Sequence, residues 1–339
     1  MRWRRFKSVL GARDREFVRD RSALAWNIAF PLLIIIGFAY AFTGNQLEHY
    51  KVGIIGPSEE SLVAFFDIKY LKLIEIKGPD LAKEIEISIN KVQRHQLDML
   101  INTQLKQYWV NDSSPSGVML EKVLSGSGGV DYQKQSVKNE QVRYVDWLIP
   151  GVLGMNMMFS ALFGVGYVIV RYRKNGVLKR LQATPLSALE FLSAQIVSRL
   201  WLIMAITIIV YIGCQLLIGF AMYGNYLNLL LVYTLGAFAM ISMGLIVAAR
   251  VRSEEMAGGL LNMLSWPMMF LSGVWFSLEG LHPWVQKLAL IFPLTHITEA
   301  ARVIMIDGAG LIDIWPNLMA LIAMSIIFLL MGVTLFRWE

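Results

Sequence analysis

The chain has 339 residues, 56% hydrophobic and 17% charged, with a formal net charge of +6. No soluble protein of this size could hide so much apolar surface, so the composition excludes a soluble globular fold and indicates a polytopic membrane protein. The positive excess requires no nucleic-acid partner, because in a membrane protein the placement of Lys and Arg encodes topology.

Residues 1–22 place Trp3, Phe6, Val9, Leu10, Phe17 and Val18 largely on one helical stripe, with arginines crowding the other positions. This pattern predicts an amphipathic interfacial helix with its apolar face in the acyl boundary and its arginines among anionic headgroups, so membrane lipid is an expected partner. A basic topogenic flank is the alternative reading. The apolar stretch that follows lacks a small-residue cleavage site and is long enough to remain in the bilayer, giving a first span over 23–42.

Residues 43–146 are too long and polar for a simple loop and carry 12 Lys/Arg against 14 Asp/Glu. Strands are predicted at 51–55, 71–77, 97–102 and 107–110, and helices at 58–66, with Ser58 as N-cap, and 80–93. Residues 111–117 read as a turn. Residues 126–129 (GSGG) read as a flexible joint before a helix leading into the second span. The alternation predicts a small α/β domain.

Runs without Asp, Glu, Lys or Arg mark the remaining spans, since a charge at mid-bilayer costs about 2.5–3.5 kcal/mol. The second covers 147–170. Residues 200–249 hold 50 positions without a charge, where ~20 suffice to cross once. Gly219, Gly224, Asn225 and Asn228 mark the hairpin between spans three and four. Spans five and six fall at 256–278 and 314–336. Lys and Arg concentrate in 1–21, 171–190 and 250–255 and are sparse in 221–225 and 279–313, which predicts an N-in, C-in topology. The expected fold is a polytopic α-helical membrane protein of six transmembrane helices, with the α/β domain of 43–146 outside, between the first two, and helices two to six within 147–339.

The inner segment 171–190 (RYRKNGVLKRLQATPLSALE) is short, basic and helix-prone. Leu178 and Leu181 share a helical face surrounded by Lys174, Lys179 and Arg180. Thr184 with Pro185, or Ser187 with Glu190 in a capping box, can start the next helix. The expectation is a short helix with two leucines exposed for a partner's groove, a break, and a capped helix entering span three. An interfacial helix lying on lipid is the alternative.

Residues 279–293 repeat Leu281, Trp284, Val285, Leu288, Ala289 and Phe292 at helical spacing in a segment too short to span, ended by Pro293. Broken backbone at membrane depth suits a cavity or a protein-buried site, so this segment is a candidate outer gate or an interfacial anchor. Glu299 and Arg302, three apart, are placed to pair. His296 reads as a hydrogen-bonded interfacial residue. Met155, Met157, Met158, Met263, Met268 and Met269 suit either ordinary packing or an apolar substrate path. The single cysteine, Cys214, lies in an apolar run and offers no disulfide or metal site. No GxxxxGK[ST], HExxH or CxxC pattern occurs, so no catalytic, cofactor-binding or metal-ligating residue is expected here.

Three stretches carry a family resemblance. Residues 176–186 (GVLKRLQATPL) resemble the coupling-helix region of ABC-2-type transporter permeases. Residues 146–158 (DWLIPGVLGMNMM) resemble the opening of their second span. Residues 271–305 (LSGVWFSLEGLHPWVQKLALIFPLTHITEAARVIM) resemble their fifth span and outer re-entrant helices. The layout matches the type V exporters with a large extracytoplasmic domain between the first two spans.

The resemblance implies a permease of a bacterial cytoplasmic membrane that pairs with itself or a paralogue and with two copies of an ABC ATPase, which bind ATP and Mg. It implies ATPase docking through Gly176, Leu178, Lys179, Arg180, Leu181, Thr184 and Pro185. A path between spans two and five would run past Met155, Met158, Met263 and Met269, and an outer gate would form at Trp284, Leu288, Phe292 and Pro293. Lys174 and Lys179 replace the acidic residues of many relatives and suggest an acidic docking groove. A periplasmic adaptor is a further partner left open, as is the substrate. A receptor with a ligand-binding outer domain, or a membrane-embedded transferase, is the alternative class, although the spans offer almost no Asp, Glu or His for chemistry.

Overall fold

A computed structural model describes residues 3–41, 50–57, 65, 68–69, 71–76, 85, 88–89, 91–92, 97–111, 114–129, 131–137, 143–220, 222–278, 282–336 and 338. The chain divides into two units, one of Met1–Thr43 with Tyr144–Glu339 and one of Gly44–Arg143. Helix α1 spans Trp3–Arg19 and α2 spans Arg21–Ala41. Between them Asp20 accepts the Ala23 N–H at 3.0 Å, satisfying one of the orphan amides of α2.

The smaller unit is a five-stranded sheet of β1 (Tyr50–Ile55), β2 (Leu71–Glu75), β3 (Met99–Asn102), β4 (Gln107–Asn111) and β5 (Gln133–Val137), ordered β2-β1-β3-β4-β5. Neighbours are parallel except β3 and β4, which form a hairpin with Met99 opposite Val110. The Asn102 carboxamide accepts the N–H groups of Gln104 and Leu105, both at 3.0 Å, which fixes that turn. Strand β3 is buried on both faces. Met99 and Ile101 join one apolar cluster, and Leu100 joins another with Ile55 and Trp109.

The expected α/β character and four strands are present, with two corrections. Helix α3 (Pro115–Gly126), capped by Ser114, starts inside the predicted turn, because Ser-Pro also suits a helix N-terminus. Residues 126–129 end that helix and lead to β5, a polar edge strand, not directly to a helix entering the second span. The predicted helices at 58–66 and 80–93 lie mostly outside the described residues.

In the larger unit α4 (Tyr144–Ala161), a π turn (Leu162–Tyr167) and α5 (Val168–Lys174) form one continuous rod. There follow α6 (Val177–Gln182), α7 (Ala188–Ile218), α8 (Tyr226–Arg250), α9 (Glu254–Leu271), α10 (Pro283–Ala289), α11 (Pro293–Asp307) and α12 (Trp315–Leu335). The hairpin between α7 and α8 turns at Gly219, in the left-handed region, and restarts at Asn225, which caps α8.

The rod is the centre of the unit. Most of its apolar stretch is buried in protein, whereas α2 and α12 leave most of theirs exposed, on sides as apolar as lipid. Because lipid offers no hydrophobic drive between helices, close packing at small residues holds them together. A Cβ on Gly244 of α8 would sit 3.2 Å from the Leu162 carbonyl oxygen, and one on Gly166 would sit 3.1 Å from that of Gly244.

Among the described residues five helices are long and apolar enough to cross a membrane: α2, the rod, α7, α8 and α12. The bent pair α10–α11 makes six if counted as one. The chain is therefore a membrane protein with multiple apolar helices. The helix expected to form the fifth span is not among the five. Helix α9 stops at Leu271, and its Glu254, Glu255, Asn262 and Pro267 lower its apolar character.

Candidate functional site

The segment after the rod forms a compact turn-helix-turn. Gly176 adopts φ 66°, left-handed backbone that favours glycine, and places α6 directly behind α5. The Ser187 hydroxyl accepts the Glu190 N–H at 3.2 Å and the Glu190 carboxylate accepts the Ser187 N–H at 3.1 Å, completing the capping box that opens α7. Thr184 does not cap α7. Its hydroxyl donates to Leu181 O at 2.6 Å and closes α6.

Burial corrects the expectation of two leucines presented to solvent. Leu178 is 0% exposed within the main core, and Leu181 is half-buried against it. A six-residue helix must bury one face to hold its place, and the leucines are that face. The outward surface is Lys179, Arg180, Gln182, Ala183, Thr184 and Pro185, with Gly176 half-buried at its start. Lys179 and Arg180 have no ion pair within 4 Å among the described residues.

The residues just before α6 fasten it to three other elements. Arg171 pairs with Glu16 of α1 at 3.0 Å, and Tyr172 donates to the same carboxylate. Arg13, although an arginine of α1, is only 6% exposed and pairs with Glu16 at 2.9 Å. Arg173 donates to Ala248 O at 2.9 Å and Val251 O at 2.5 Å, meeting the orphan carbonyls that end α8. Lys174 lies 3.5 Å from Glu254 and 3.6 Å from Glu255 at the start of α9, and Tyr167 donates to Glu254 at 2.6 Å. Arg5 donates to Pro185 O, bracing the far side of the turn.

The electrostatics follow these contacts. Burial pushes Glu16 up, but the Tyr172 hydroxyl with Arg13 and Arg171 outweighs it and holds the carboxyl below its ordinary value. The Tyr167 hydroxyl, aided by Lys174 and opposed by burial, holds Glu254 low as well. Lys174 is thus answered within the chain, which corrects the expectation that both lysines await an acidic partner. Sequence reasoning missed this function of the RYRK run, since its partners lie far away in the chain.

At the other end of the rod, α10 and α11 meet at 97°. Residues 279–281 of the expected gate segment, Leu281 included, lie outside the described residues. Trp284 is exposed, while Leu288 and Phe292 are half-buried. Pro293 occupies the first turn of α11, so it begins a helix rather than ending one. Thr295 donates to Ala289 O at 2.6 Å across the bend. His296 donates from Nε2 to Leu290 O, with Nδ1 3.0 Å from the Asn317 side-chain amide, so it is held in hydrogen bonds.

Arg302 forms no ion pair with Glu299. It donates to Gly273 O at 2.8 Å and Trp147 O at 3.3 Å, with its guanidinium 3.6 Å from the centre of the Trp147 ring. It therefore ties the turn after α9 to the start of α4. Met155, Met157, Met158 and Met268 are fully buried and Met269 nearly so, whereas Met263 is 75% exposed on α9. Met263 shares that face with Met256, Leu260, Trp266 and Phe270. Cys214 is buried, and the described residues hold no group of three His, Cys, Asp or Glu able to bind a metal.

The model of an ABC-2 family transporter protein matches residues 21–334. The inner membrane transport permease YhhJ of Escherichia coli strain K12 is 27% identical over 188 residues, 54% of this chain and 49% of that protein. The ABC transporter G family member 20 of Dictyostelium discoideum is 26% identical over 200 residues, 58% of this chain and 27% of that protein. The probable multidrug ABC transporter permease YbhR of Escherichia coli strain K12 is 22% identical over 189 residues, 55% of this chain and 51% of that protein. The chain thus spans about half the length, or less, of the curated relatives it matches.

Proposed function

The chain belongs to the ABC-2 family of transporter proteins, and on that premise we propose that it is the membrane-spanning permease subunit of an ATP-driven exporter in a bacterial cytoplasmic membrane. Two copies, or this chain with a paralogue, pair with two ATPase subunits that bind ATP and Mg. Both termini and segment 171–190 lie on the cytosolic side, and 43–146 lies outside. The basic, apolar-striped α1 rests in the inner interface among lipid headgroups.

The observation that carries this reading is the construction of α6. Its leucine face is sunk in the core, its polar face is exposed, and the turn before it is fastened to α1, α8 and α9. A push on Lys179, Arg180, Thr184 or Pro185 is therefore transmitted to the rod and to three other helices, which is what a coupling helix must do. Docking rests on this polar surface, with Gly176 setting its angle and Leu178 and Leu181 anchoring it. The substrate path runs along the face of α9 that exposes Met263 and its neighbours, towards a second protomer. The buried Met155, Met158 and Met269 support that wall from behind. Trp284, Leu288 and Phe292 close its outer end, braced by the Pro293 bend.

The test is co-purification of a nucleotide-binding ATPase with the tagged chain from its native membrane, followed by ATP-dependent transport in inverted vesicles. Recovery of the chain without an ATPase, under conditions that keep its own dimer intact, would sink the proposal.

A further inference from the structure

The rod contains a defect that its neighbours hold open. Residues Leu162–Tyr167 form a π turn between two α-helical stretches. Such a turn accommodates one more residue than regular α-helix and leaves nearby carbonyls short of their usual amide partners. Two buried arginines from two other helices reach these carbonyls. Arg199 of α7 donates from Nε to Ser160 O at 2.8 Å and from Nη2 to the Ser160 hydroxyl at 2.8 Å. Arg13 of α1 donates from Nη2 to Gly164 O at 2.8 Å. Each arginine is only 6% exposed. The guanidinium of Arg199 lies over the Phe17 ring at 4.9 Å, and a Cβ on Gly164 would fall 2.0 Å from its Cζ.

Burying two cations is costly, and filling a carbonyl deficit in a helix with them is an unusual use of that cost. Neither arginine contacts the exposed face of α6. Arg13 meets the rod at Gly164, about two turns before the fastened residues Arg171, Tyr172, Arg173 and Lys174, and Arg199 meets it at Ser160, about three turns before them.

We propose that Arg13 and Arg199 are positioning residues that hold the π turn in one register, and that this turn is the joint through which motion of segment 171–190 reaches the outer half of the rod. Absorbing the extra residue into regular α-helix would rotate one half of the rod against the other by about 100° and lengthen it by about 1.5 Å. Arg13 links the joint to the Glu16–Arg171–Tyr172 cluster, so displacing α5 also pulls on the clamp. The transmission part rests on the coupling role proposed above, while the clamp itself does not.

The clamp is tested by hydrogen–deuterium exchange on the full chain in detergent. Arg13→Gln and Arg199→Gln are expected to speed exchange of the amides at 162–167 by roughly 10-fold or more, with the cores of α8 and α12 unchanged. Arg13→Lys, which keeps one charged donor, should give a smaller effect. Unchanged exchange at 162–167 in both Gln variants overturns the clamp. Should these variants misfold, Arg13→Lys and Arg199→Lys, each keeping one charged donor, take their place: faster exchange at 162–167 than in wild type is expected in both, and wild-type exchange in both would overturn the clamp.

Transmission is tested on the wild-type complex with its ATPase, where trapping with ATP and vanadate should change exchange at 162–167. No change there overturns transmission. Failure of any ATPase to bind the wild-type chain instead refutes the coupling role, and leaves the clamp measurement standing.

Discussion

The burial of α6 separates anchoring from docking, and two sets of substitutions should pull these apart. Leu178 is 0% exposed, so Leu178→Ala removes three buried carbon centres from a core that relaxes only partly, at about 2–5 kcal/mol. Lys179 and Arg180 lie on the exposed face, and reversing both charges should change fold stability by only about 0.5 kcal/mol each. At a docked surface the same reversals are expected to weaken ATPase binding roughly 10- to 100-fold, more at low salt than at high salt. The assay is a pair of measurements on each purified variant: thermal melting in detergent, and ATPase binding to immobilised permease across a salt series. Leu178→Ala should melt several degrees lower and bind in proportion to the folded fraction. Lys179→Glu with Arg180→Glu should melt like wild type and bind weakly. Wild-type melting of Leu178→Ala, or salt-independent wild-type binding of the charge-reversed pair, would refute the division of labour.

Three further outcomes follow from the same geometry. Ser187→Ala removes half of the capping box that opens α7 and should cost about 1 kcal/mol, seen as a lower melting temperature that Ser187→Asp largely restores. Glu16, held below its ordinary value among Tyr172, Arg13 and Arg171, contributes stability that is fully present above its unfolded value near 4.5 and lost as pH falls through its lower folded value. The melting difference between wild type and Glu16→Gln should thus be constant from pH 5 to 7 and shrink below that window, and a difference that grows on acidification would contradict the assignment. Arg302→Gln removes the tie from Gly273 and Trp147, so protection of the 272–278 amides should fall while α8 keeps its own.

What the sequence made legible was local. The apolar runs, the hairpin at Gly219 and Asn225, the strand pattern around Val52 and Ile101 and the Ser187–Glu190 box depend on spacing and neighbours, and residue order carries that information. Contacts between distant positions were not legible. Arg13 looked like one more interfacial arginine, yet beyond its neighbour Glu16 it reaches Gly164 O and Tyr172. Glu299 and Arg302 have the spacing of an ion pair, but stacking on Trp147 outcompetes it. Strand β5 is hidden because Gln133, Lys134, Gln135 and Ser136 are all exposed and lack the apolar alternation that marks a half-buried strand. Helix α9 exposes Met263 and Trp266 on a face whose composition looks the same whether it meets lipid, substrate or a second protomer.

The proposed function requires that this chain couple to ATP hydrolysis performed by another subunit. It is tested most directly by measuring vanadate-sensitive ATPase activity of the partner reconstituted in liposomes with and without the permease. Activity is expected to change when wild-type permease is added and to stay the same when the Lys179→Glu, Arg180→Glu variant is added. Identical hydrolysis in all three preparations would contradict it.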